Sequence, residues 1–137
     1  MTRSGYTDDC EYLELWRGAV DRAMRGKRGQ SFLKELATAM DAMPEKVLIA
    51  NELENDDGNV CAIGAVCKAR GLDTEQIDYN ARERVAKVMG IAESMAAEIA
   101  YMNDEWSPGE TPEHRWARMR AWVQQHIQAF TEPKGKK

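Results

Sequence analysis

From Thr111 onward, apolar side chains recur at intervals of three and four: Trp116, Met119, Val123, Ile127 and Phe130. That period puts them on one face of an α-helix. The stretch also carries a start signal. Thr111 can accept from the first free N–H groups, Pro112 suits the first helical position, and Glu113 complements the positive end of the helix dipole. A helix of this kind is stable in water only when its apolar face is covered. The rest of the chain must therefore supply matching faces.

Three further stripes do so. Leu13, Trp16, Val20, Ala23 and Met24 predict a helix over residues 8–25, capped by Thr7 or Asp8 and stopped by Gly26. Phe32, Leu33, Leu36, Met40 and Met43 predict a second, capped by Ser31 and ended by Pro44, with the GKRGQ of residues 26–30 as a basic connector. Met95, Ile99 and Met102 face inward on a helix over 92–105. A helix from Asn59 or Val60 to Arg70 ends at Gly71, where a left-handed cap is expected and Leu72 supplies the following apolar residue. Another covers residues 80–89. KVLIANEL, residues 46–53, reads two ways. Val47, Leu48 and Ile49 suit a short buried strand, while Pro44 and Glu45 could open a helix. If the stretch is extended, NVCA can pair with it across the NDDGN turn.

The expected fold is mainly α: a compact single-domain bundle of five or six helices over residues 1–130, with one short β-hairpin near residues 47–62 as an option. Residues 131–137 read as a disordered basic tail. A chain of 137 residues, 43% hydrophobic and 31% charged, is long enough to bury one core. No apolar run approaches the roughly 20 residues that span a bilayer, and MTRSGYTDDCEY lacks the order of a signal peptide. The expectation is a cytoplasmic protein with no membrane partner.

Cys10, Cys61 and Cys67 contain no C-x-x-C pair, which argues against a disulfide framework or a zinc site. No metal and no cofactor is expected. Cys61 has two readings. If Asn59 caps its helix, Cys61 falls in the first turn, where the dipole and free N–H groups favour a thiolate. A catalytic cysteine also needs a base, and nothing in the spacing brings His114 or His126 to it. Ala62, Gly64 and Ala65 beside it favour the other reading, a packing seam that lets a second helix come close.

Other motifs are weighed in the same way. RVAKVMGIAESMAAEI has an Ala four residues before a Gly, as in a helix-turn-helix. Its second helix offers Glu93, Ser94, Ala97 and Glu98, and glutamates would face phosphates, so it reads as two helices meeting at Gly90. GKRGQS could hold an anion at a helix N-terminus, against the simpler reading of a solvated connector. ENDDGN fails as a calcium loop because Leu53 and Gly64 stand where acids are required. Asn103 and Asp104 could form a polar pocket with Arg115 near Trp106, but Asn and Asp are also ordinary turn residues, and Asn103 would suit a left-handed turn.

Net charge is −4, from 19 basic and 23 acidic residues, but it is unevenly spread. Arg22, Arg25, Lys27 and Arg28 form one basic cluster and Arg115, Arg118 and Arg120 another, against an acidic Glu52, Glu54, Asp56 and Asp57. Patches of both signs suit protein partners as well as nucleic acid. Arg25, Lys27, Arg28, Arg115, Arg118 and Trp106 are the candidate partner-binding residues.

GNVCAIGAV, the ND of YMNDEW, and ETPEHRW with MRAWV form a recognisable set, together with RGKRGQSFLKEL and DAMPEKVLIANEL. Over residues 25–127 the chain resembles a group of small uncharacterised proteins from bacteriophages, prophages and their bacterial hosts. The resemblance brings no catalytic residue or cofactor with it. It implies a non-enzymatic accessory protein that binds a host protein or complex, with inhibition of a host defence or regulatory system as one form. The alternatives are a helical nucleic-acid-binding protein using the basic patches and a small enzyme using Cys61.

Overall fold

The computed structural model describes residues 3–4, 13–78 and 80–131. Among them are six α-helices: α1 (Leu13–Arg25), α2 (Lys27–Ala42), α3 (Ala62–Arg70), α4 (Arg82–Met89), α5 (Glu93–Asp104) and α6 (Pro112–Thr131). The mainly helical expectation holds. Cys10, the Thr7 or Asp8 cap, and the tail beyond Thr131 lie outside the described residues.

The stripes read from the sequence become one core. Val20 and Met24 of α1, Leu33, Leu36 and Met40 of α2, Met95 and Ile99 of α5, and Met119 and Val123 of α6 are all buried. α2 is the hub, packing on α1, α3 and α6, while α5 lies against α1 and α4. α3 differs from the others. Its six residues from Ala62 to Cys67 are all buried, so it has no solvent face until its last turn. A helix apolar all round must sit inside the bundle.

Several local signals hold. Thr111 Oγ1 accepts from His114 N at 3.1 Å, and Pro112 opens α6. Gly71 ends α3 with φ 76°, and the Leu72 N–H reaches back to Cys67 O at 2.9 Å. Gly90 ends α4 with φ 80° and turns the chain into α5. α4 itself begins two residues later than the pattern suggests, after a turn in which Asp78 takes the N–H groups of Asn80 and Ala81.

The start of α2 differs from the expectation. Its cap is Gly26, and Ser31 lies inside the helix. GKRGQ is therefore the first turn of α2, with no connector. One glycine serves both helices: its N–H closes α1 on Arg22 O at 3.0 Å, and its carbonyl accepts Gln30 N at 2.9 Å. The alternative reading of this stretch, an anion held at the start of α2, meets the end of α1 instead. Ala23 O of α1 lies so close to Gly29 that a Cβ there would sit 2.0 Å from it. The carbonyl end of α1 thus already faces the N–H end of α2.

The hairpin also differs. Among the described residues there is no strand, only a single antiparallel bridge between Glu54 and Val60. Residues 47–53 are neither strand nor helix: part of the expected pairing with NVCA is present, since Ile49 N donates to Val60 O and Leu53 O accepts Cys61 N, but their other backbone groups find partners elsewhere. Leu48 N donates to Pro112 O (3.1 Å), Ile49 N to Val60 O (2.9 Å) and Asn51 N to the Asp104 side chain (3.0 Å). Leu48 O and Ile49 O accept from Arg115 and Asn103. The connection is held by α5 and α6.

Candidate functional site

The Asn103–Asp104 pair ends α5 in helical geometry; Asn51 (φ 74°) is the one described non-glycine residue with positive φ. Asn103 is 1% exposed. Its Oδ1 accepts the first N–H of α3, from Ala62, at 3.1 Å, and its Nδ2 donates to Ile49 O at 2.9 Å and Asp104 Oδ1 at 2.8 Å. It thus caps a helix other than its own. Arg115, read as a surface cation, is buried. Its Nε donates to Asn103 O at 3.0 Å and its Nη1 to Leu48 O at 3.2 Å. It covers carbonyls at the end of α5, where a cation is favoured.

Asp104 receives a residue that the sequence did not mark. Arg3 donates from Nε to Oδ2 at 2.7 Å and from Nη2 to Oδ1 at 2.6 Å. The two side chains are 5% and 1% exposed. The third guanidinium nitrogen, Nη1, reaches Cys61 Sγ at 3.5 Å. Burial works against the charge on Arg3, but Cys61 and Asp104 outweigh it and hold its pKa above the ordinary value.

Cys61 is the N-cap of α3, one position outside the first turn, and Sγ accepts from Gly64 N at 3.4 Å. The seam reading was right about close packing and differs in the partner. A Cβ on Gly64 would lie 2.1 Å from Leu53 O, so at Gly64 it is the 47–60 connection that comes closest, while α2 packs on α3 as well. Cys61 is 1% exposed. His114 Nδ1 lies against Glu110 and His126 Nδ1 against Trp122 O. Burial raises the Cys67 thiol to about 11. In the folded chain, iodoacetamide is expected to label Cys61 and Cys67 at least about tenfold more slowly than in urea; mass spectrometry of time points checks this.

Arg118 is also occupied. Together with His114 it closes on Glu110, whose side chain is 3% exposed; Arg118 Nη2 is 2.5 Å and His114 Nδ1 is 2.6 Å from its oxygens. The second basic cluster is thus taken up by the chain's own acceptors: Arg115 and Arg118 as above, and Arg120 on the exposed Asp41 at 2.8 Å. The Arg118 hydrogen bonds hold the Glu110 carboxyl below its ordinary 4.5, against the opposing effect of burial. A depressed folded pKa stabilises the fold above the unfolded value, and that stability is lost as pH falls through the folded one. Glu110→Gln is expected to cost about 2 kcal/mol at pH 7 and to flatten the loss as pH falls below the ordinary 4.5, as read by urea melts.

The helix-turn-helix face is occupied as well. Glu98 is buried and takes two hydrogen bonds from Arg17, at 2.6 and 3.1 Å, while Ala97 is buried against the bundle. Glu98 and Ser94 of α5 thus face α1, in keeping with two packed helices meeting at Gly90, while Glu93 is exposed beside Arg82.

Three surface features remain. An open groove of about 540 Å3 runs between the end of α2, the 58–60 turn and α3, floored by Ala39, Met43, Val47, Val60, Ala65 and Ala69. At the α1–α2 corner Arg22, Arg25, Lys27 and Arg28 are exposed. Trp106 is 57% exposed in the α5–α6 connection, edge-on to Tyr101. Trp116 is half-buried beneath Lys46, and Trp122 is 9% exposed.

Among the described residues, no group of His, Cys, Asp and Glu could hold a metal ion, and no helix is long and apolar enough to cross a membrane. No protein family matches the chain, and no curated protein or solved structure shows significant similarity to it.

Proposed function

We propose that the protein works by binding, with the α1–α2 corner as the charged part of its contact surface. The observation that carries this is the place of Lys27 and Arg28. They stand in the first turn of α2, which contains no acidic residue. Cations there oppose the helix dipole and cost about 0.3–1 kcal/mol each. Arg22 and Arg25, in the last turn of α1, add to the same corner. Four cations at one corner, two of them opposed by the dipole of their own helix, in a chain of net charge −4, fit an acidic partner surface.

The resemblance to phage and prophage proteins supports a host protein or complex in the bacterial cytoplasm as that partner. Inhibition of a defence or regulatory complex is one concrete form. The same corner would also meet nucleic-acid phosphates, and that is the second reading.

Lys27→Glu with Arg28→Glu separates stability from binding. The double variant is expected to melt higher, by about 1 kcal/mol in all, and to lose at least about tenfold in partner recovery from host lysate. Capture that persists unchanged overturns the role of the corner. Capture abolished by nuclease, with a steep fall between 50 and 200 mM salt, moves the reading to nucleic acid.

A further inference from the structure

We propose that the surroundings of Asp104 are a recognition site for an Arg-Ser dipeptide, filled here by the chain's own Arg3 and Ser4 and able to take the same two residues from another protein. The match is in register. Consecutive receptor residues meet consecutive guests: Asp104 takes the Arg3 guanidinium, and Glu105 Oε2 accepts the Ser4 hydroxyl at 2.5 Å. Arg82 Nη1 donates to the Ser4 carbonyl, and Cys61 Sγ accepts from the remaining guanidinium nitrogen. Arg3 and Ser4 are 6% and 0% exposed, so the site encloses both residues.

Three of the receptor groups, Asp104, Cys61 and Arg82, are held by contacts that do not involve the guest. Asp104 Oδ1 is aimed by Asn103 Nδ2 and by Asn51 N. Cys61 Sγ is held by Gly64 N. Arg82 is tied to Glu93 at 2.9 Å and lies over the Trp16 ring. A receptor set in place before its guest arrives loses little ordering entropy on binding. The planar fork of an arginine fits a carboxylate bidentately, which a lysine cannot do. Arg3 meets Asp104 across 101 positions of sequence. Such a tether presents its guest at an effective concentration on the order of millimolar, so an outside segment displaces it when it adds contacts of its own.

The binding reading above gives the site its biological sense, but its test needs no host partner, so either can fail without the other. Arg3→Gly with Ser4→Gly in the full chain removes both guest side chains. Acetyl-Arg-Ser-amide is then titrated while the Asn51 amide is followed by NMR. The expected result is a saturable shift at millimolar peptide. It should be about tenfold weaker with acetyl-Lys-Ser-amide, weaker again in the unaltered chain, and absent when Asp104→Asn is added. If the double variant does not fold alone, recovery of its near-ultraviolet tryptophan signal on adding the peptide replaces the shift. No saturable shift and no recovery, or an equal response to the lysine peptide, overturns the proposal.

Discussion

Asp104→Ala is expected to lower stability by about 3–5 kcal/mol, enough to unfold a marginal domain outright. The carboxylate accepts two bonds from Arg3, one from Asn51 N and one from Asn103 Nδ2. Truncation leaves a guanidinium with a 5% exposed side chain facing no counter-charge. That stranded charge is the larger part of the loss, because an ion pair in the interior is worth far less than one of its halves costs alone. Arg3→Ala added to Asp104→Ala should therefore recover about 2 kcal/mol. Urea melts followed by tryptophan fluorescence measure both. A single-variant cost below about 1 kcal/mol, with no recovery in the double, would mean the pair is not closed in solution.

Gly64→Ala carries the other large effect. Alanine normally stabilises a helix interior over glycine by about 1 kcal/mol, and the φ of Gly64 is not positive. Sterics reverse the sign. The new Cβ would stand 2.1 Å from Leu53 O and 2.9 Å from Val60 Cβ. Leu53 O is not free to retreat, since it accepts Cys61 N at 3.1 Å. The expected outcome is a loss of about 3 kcal/mol or more, at the upper end of overpacking costs. Gly18→Ala is the control. There a Cβ meets only the mobile end of Arg22, at 3.3 Å, and a gain of about 0.5–1 kcal/mol is expected. Thermal melts of the two variants should move in opposite directions.

These two sites mark where sequence reading stops. The spacing around Gly64 announced close packing, because a run of small residues has few other uses in a helix. It did not say what comes close. A helix was the expected neighbour, and a backbone carbonyl from the 47–60 connection took the place. Ser31 looked like a better cap than Gly26 on local chemistry alone. Gly26 took the role because the C-terminal end of α1 covers the first turn of α2, and only glycine at 29 admits Ala23 O. Asn103 and Asp104 were marked as turn or pocket residues and proved to be both cap and ion-pair partner, to groups 41 and 101 positions away.

The amino-acid sequence by itself determined the helical class, the buried stripes, the left-handed stop at Gly71, the break at Gly90, and the Thr111–Pro112 start of α6. Each is settled by residues within a turn or two, where backbone sterics and the period of the helix leave few choices. Tertiary structure decided which polar groups meet. Arg3 reaches Asp104, Arg115 turns inward to Asn103 O, and the 47–53 segment divides its backbone between residues 60–61 and the α5 and α6 ends in place of a regular hairpin. Such pairings depend on burial, which makes an unmatched donor or charge costly, and burial exists only once the helices have packed.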